Sequence, residues 1–318
     1  MIETVQKNKV DFDIMAFVKQ VIPFMGLLMV AILFEVLSGG KLLSGRNLTL
    51  LLNQAFTLSL GAIGCSFVIA QGNLDFSLGG IVGIAAATAA TVSGAGLFVT
   101  ILTAVVVGLA IGILNGSIHA FFGIPAFVVT LSVQFILRGL IVVVTKAGTL
   151  PIPFYMYSVD NTPLKFTVLI LTFLFGYIVF EYTKVGKQCK ALGSGIAASI
   201  QSGINVKAMK IISFAIVGSL SGLCGFFSLI RAGAASTATG QFFETDVMTA
   251  LVLGGMPLTG GSSCKIKSAI IGSLILAVLT NGMVLWGINE HMQQLIKGCI
   301  FIFAVWISLD KQGKEFVK

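Results

Sequence analysis

The chain has 318 residues, 56% of them hydrophobic and only 10% charged, with 37 glycines and a formal net charge of +8. A soluble domain carries about 25% charged residues, so this composition excludes a soluble globular protein and points to a polytopic membrane protein. The positive balance does not indicate nucleic acid, because the lysines are spaced as membrane topology requires.

A helix needs about 20 apolar residues to cross the hydrocarbon. In chain order the candidate helices are 18–38, 50–70, 78–93, 98–118, 126–146, 165–182, 209–230, 245–257, 266–288 and 293–309. The first follows a charged N-terminus without a small-residue cleavage site, so it reads as a span and not a signal peptide. The third and eighth are short and read as broken, tilted or re-entrant, which is tolerated only where protein or water covers the backbone. The expectation is an all-α polytopic transmembrane protein of about ten spans. It forms one transmembrane domain over residues 1–318, with spans between about 18 and 309 and a polar loop at 183–208.

Placing the N-terminus inside puts Lys7, Lys9, Lys19, Lys184, Lys187, Lys190, Lys207, Lys210, Lys265, Lys267, Lys311, Lys314 and Lys318 in inner segments. Only Lys41, Arg46, Lys146, Lys165 and Arg231 fall outside. This bias predicts cytoplasmic termini and a cytoplasmic 183–208 loop. Gly108, Gly112 and Gly116 recur every four residues, as do Gly218 and Gly222, which predicts close backbone packing of helices.

Catalytic chemistry is absent from the pattern. The Gly-Lys pairs at Gly40, Gly186 and Gly313 are followed by Leu42, Gln188 and Glu315, so no phosphate-binding P-loop exists. The two histidines, His119 and His291, are far apart, and the five cysteines show no metal-ligand spacing. No catalytic, cofactor or metal residue is expected. Among charged residues, Glu35, Glu181 and Lys297 fall near helix ends and can snorkel, whereas Arg138 lies within a span. The lack of midplane acids argues against ion-coupled secondary transport.

Four stretches carry a family resemblance: GNLDFSLGG at 72–80, GIPAFVVTLSVQFILRGL at 123–140, ALGSGIAASIQSGINV at 191–206 and ETDVMTALVLGGMPLTGG at 244–261. In that order they resemble the permease subunits of bacterial ABC importers for monosaccharides, of the ribose, xylose and galactose type. The resemblance implies a multi-pass protein of the bacterial inner membrane. It implies a cytosolic ATPase partner that binds ATP and magnesium, a second permease copy or paralogue, and an extracytoplasmic sugar-binding protein. Membrane lipid surrounds the chain, and no nucleic acid is involved. The chain departs from the family at Ser194-Gly195 and at Ser262-Ser263-Cys264-Lys265.

By the resemblance, the 183–208 loop is the element that meets the ATPase. The residues expected to couple are Gly193, Gly195, Ala197, Ala198, Ser202, Gly203 and Ile204. From the residues alone this is either a surface helix docking into a partner or a solvated basic loop. Pathway or gate candidates are Asn53, Asp75, Asn115, Gln134, Arg138, Gly254, Gly255 and Asn281, and Gln54, Thr130 and Ser132 are further polar side chains inside spans that could hydrate a passing sugar. Asp75 and Ser77 can equally cap a helix start, the Gly254-Gly255 block can be an ordinary turn, and the amides can be interhelical hydrogen bonds. Alternative solutes are nucleosides, the furanosyl molecule autoinducer-2 and branched-chain amino acids. A stand-alone secondary transporter is the alternative from another class.

Overall fold

The computed structural model describes residues 14–313, and Lys7, Lys9, Lys314, Lys318 and both chain ends lie outside them. The first half runs α1 (Ile14–Leu37), α2 (Gly45–Ala70), α3 (Leu78–Thr91), α4 (Leu97–Phe122), α5 (Ala126–Thr145), β1 (Thr149–Pro151) and α6 (Thr162–Tyr177). The second half runs α7 (Lys184–Ser194), α8 (Ile196–Gln201), α9 (Val206–Ala232), β2 (Ala234–Ser236), α10 (Phe243–Leu253), α11 (Lys267–Leu285) and α12 (Glu290–Gly313). Each expected apolar helix has a counterpart. The 183–208 loop folds into α7 and α8, and α9 begins within it. A π-turn at Ile178–Tyr182 prolongs α6.

Among the described residues six helices are long and apolar enough to cross a membrane: α2, α4, α5, α6 with its π-turn, α9 and α11. This is a helical membrane protein. The two three-residue strands pair antiparallel at one end.

α3 has 14 residues and α10 has 11. At 1.5 Å per residue they rise about 21 and 16 Å, against a hydrocarbon core of about 30 Å. Each is a half-helix, too short to cross alone, and irregular backbone at 71–77 and 237–242 leads into it. The physical reason is local: Gly72 and Gly240 hold positive φ angles of 75° and 73°, which only glycine adopts without strain.

The core surrounds α2, whose residues from Leu58 to Ala70 are all buried. A helix apolar on every side is stable only when other helices cover it. α4 and α9 meet along their glycines, as the four-residue spacing predicts. A Cβ on Gly108 or Gly112 would collide with the Gly218 or Phe214 carbonyl, and one on Gly222 with the Ala104 carbonyl.

The helix ends sort into two sets. At one, the Tyr155 hydroxyl donates to the Ser93 carbonyl at 2.9 Å and β1 pairs with β2. At the other stand α7, α8, the end of α2 and the turn at 254–266.

Candidate functional site

Polar side chains spaced by four along α5 form a ladder. Thr130 Oγ1 accepts the Phe76 amide at 3.0 Å. Gln134 Oε1 accepts the Gly80 amide at 2.6 Å. Arg138 donates to the Thr239 and Gly240 carbonyls at 3.0 and 2.6 Å. The ladder thus bonds backbone groups where both short helices begin: two amides at the start of α3 and two carbonyls just before α10. Glycine is required there, because a Cβ on Gly79 would collide with Glu244, the Gly240 carbonyl and Arg138.

This corrects the expected cap of α3. Ser77 makes no side-chain cap bond, Asp75 reaches only one amide at the helix start, that of Ser77, and the Gly80 amide of the first turn goes to Gln134. Asp75 Oδ1 accepts the Ser77 amide and hydroxyl at 2.8 and 2.6 Å. Asn115 in turn donates to Ser77 Oγ at 2.8 Å. Asp75, Asn115, Gln134 and Arg138 therefore belong to one seam around the backbone at 75–80 and 239–240.

A second assembly lies at the α7–α8 end. The Gly261 amide donates to the Ala70 carbonyl at 3.0 Å. Gly193 is wedged against the same two residues, leaving no room for a side chain. Three segments distant in sequence therefore press on one point. Burial pushes the Cys264 thiol in this turn up to about 12, which closes it to thiolate chemistry. Beyond the contact, α8 faces outward. Ile196 is 51% and Ile200 58% exposed, and Ala197, Ala198, Ser202 and Gly203 are exposed beside them. Gly203 ends the helix with φ 76°, Gly195 precedes it, and Ile204 folds back half-buried.

The other candidates are dispersed. Asn53 accepts from Lys165 at 2.7 Å. Asn281 accepts from Asn47 at 2.7 Å. Gly254 closes the end of α10 against the Ser268 carbonyl, and Gly255 turns the chain with φ 84°. Glu181 pairs with Lys190, while Lys297, expected to snorkel, pairs with Asp246 at 2.5 Å.

A cavity of about 510 Å³ lies between α2, α9, α10 and α11, lined by Gln54, Thr57, Ser228, Gln241, Asp246 and Thr280 among others. Gln54, one of the polar residues the sequence places inside a span, lines it, whereas Asn53, Asp75, Asn115, Gln134, Arg138, Gly254, Gly255 and Asn281 do not. The overlooked signal was a pair of opposite charges, Asp246 on α10 and Lys297 on α12, that meet across two helices.

The profile of the family described as "branched-chain amino acid transport system / permease component" matches residues 47–305. This chain belongs to that family. It is a permease component, a multi-pass inner-membrane protein and not itself an enzyme. The ribose import permease protein of Escherichia coli is 31% identical over 279 residues, covering 84% of this chain and 87% of that protein. The xylose transport system permease protein of Haemophilus influenzae is 30% identical over 351 aligned positions, covering 88% and 93%. The ribose import permease protein of Bacillus subtilis is 29% identical, covering 97% and 98%. No solved structure matches the chain.

Proposed function

We propose that this permease is the membrane subunit of an ATP-driven importer for a monosaccharide such as ribose, delivered by an extracytoplasmic binding protein. Relatives named for ribose, xylose and allose align along most of the chain. The observation that carries the coupling reading is the convergence of Gly193, Ala70 and Gly261 behind the exposed face of α8. A partner pressing on Ile196, Ala197 and Ile200 pushes on backbone continuous with both half-helices. Ala70 leads into 71–77 and α3, and Gly261 leads back to α10.

The partner is a cytosolic ATPase that binds ATP and magnesium. Apolar side chains on a helix outside the bilayer suit such a docking surface. Lys184, Lys187, Lys190, Lys207, Lys210, Lys265 and Lys267 all stand at this end, which supports its cytoplasmic placement. With 71–77 plus α3, and 237–242 plus α10, each counted as one crossing, the chain makes ten crossings and both termini are cytoplasmic. A second permease copy or paralogue completes the pore. Work enters as the difference in contacts that α8 makes with two ATPase states.

Reconstitution with the co-encoded ATPase and binding protein tests this reading. ATP turnover is measured with ribose, xylose, allose and leucine. Stimulation by one sugar is the expected result. Stimulation by leucine alone would make the chain an amino-acid importer, and no response to any ligand would remove the ATP-driven reading.

A further inference from the structure

Three cavities meet at one side chain. Asp246 lines the 510 Å³ cavity and two further ones of about 310 and 220 Å³. Lys297 lines the two smaller ones, and the Asp246–Lys297 ion pair stands where all three adjoin. Gln241, Asp246 and Thr280 line both the 510 and the 310 Å³ cavities, so side chains form the wall between them.

The chemistry of the larger cavity is specific. Its polar lining is mostly uncharged: Gln54 and Thr57 from α2, Ser228 from α9, Gln241, and Thr280 from α11, with Arg231 at the end of α9 as a cation whose guanidinium can donate to hydroxyl oxygens. Gln54 Oε1 is buried with no hydrogen-bond partner, an unfilled acceptor that native structures seldom leave without a reason. Lys297 already neutralises Asp246. A volume near 500 Å³ with a few polar groups is typical of small-molecule sites. Hydroxyl-bearing neutral solutes match this lining, because they both donate and accept.

We propose that the 510 Å³ cavity is a transient binding site for a neutral polyhydroxylated solute, and that the Asp246–Lys297 pair is the partition the solute crosses. This rests on the importer reading above. Gln54 and Thr57 hold the solute, and Asp246 exchanges its lysine partner for a solute hydroxyl as the pair opens. An ion pair between two separate helices can part by side-chain rotation, without moving the rigid α4–α9 pair.

The test uses the full chain in proteoliposomes with its ATPase and binding protein, and radiolabelled ribose, xylose and allose as probes. Gln54→Leu combined with Thr57→Val is expected to lower ATP-driven uptake about tenfold while the variant still co-purifies with the ATPase. Thr280→Val, near-isosteric, gives a second reading should the double variant not purify. Lys297→Met is expected to let preloaded sugar leak without ATP, and exchanging the charges (Asp246→Lys with Lys297→Asp) to reseal the vesicles. Wild-type uptake by the variants lacking cavity hydrogen-bonding groups overturns the site, and tight vesicles with Lys297→Met overturn the partition. Wild-type vesicles that take up none of the three sugars overturn the importer reading itself, which separates the two failures.

Discussion

Along α4 and α9 the backbones themselves touch, glycine against carbonyl. Around α10 the same depth is filled by short helices, cavities and an ion pair. Backbone contact leaves no side-chain torsion by which the first pair can slide, so it behaves as a frame. The second region is held by rotatable side chains around empty volume, and two helices there begin partway through the protein. The contrast assigns rigidity to one region and the working motion to the other.

The largest effect is expected where the frame is attacked. Gly112→Leu drives a side chain into the Phe214 carbonyl and is expected to cost about 3 kcal/mol or more, seen as loss of a monodisperse peak in size-exclusion chromatography. A protein that stays monodisperse would mean the α4–α9 seam is not the frame.

Next comes Asp246→Ala, which leaves the partly buried Lys297 ammonium without its ion-pair partner. The expected cost is about 3 kcal/mol in a thermal unfolding series. Adding Lys297→Met is expected to recover most of it, since breaking a buried pair costs more than removing it. Equal losses from the single and double variants would show that the pair is not coupled.

Arg138→Leu removes the side-chain donor to the Thr239 and Gly240 carbonyls, and the Gly240 carbonyl keeps only the Phe243 amide. The expected loss is about 2 kcal/mol, with faster hydrogen exchange at the first turn of α10 than at α9. Uniform exchange across both helices would blur the contrast between frame and moving part.

The helices themselves were legible because long apolar runs admit no other structure in a bilayer. The glycine spacing of α4 and α9 was legible for the same reason: a four-residue period puts small residues on one face before any partner is known. The shortness of α3 and α10 showed as well, in glycine-broken runs. The ladder of Thr130, Gln134 and Arg138 was half visible; its spacing lies in the sequence, but its targets are backbone groups of segments about fifty and a hundred residues away. The cavity was legible at one residue only. Gln54 was visible as a polar residue inside a span, but Gln241 and Asp246 lie almost two hundred residues away and Thr280 further still, and only the fold brings them to one wall. Lys297 looked like a snorkelling residue because its partner lies 51 residues away on another helix.

The smallest effect on stability is expected at α8, and it carries the central claim. Ala198→Glu places a charge on an exposed surface, so unfolding should shift by less than about 0.5 kcal/mol. Pull-down of the co-encoded ATPase by the wild-type permease and by this variant, measured beside ATP-driven sugar uptake, is the direct test. The account predicts a folded variant that loses both ATPase retention and uptake by at least about tenfold. Wild-type retention and uptake in a folded Ala198→Glu protein would contradict it.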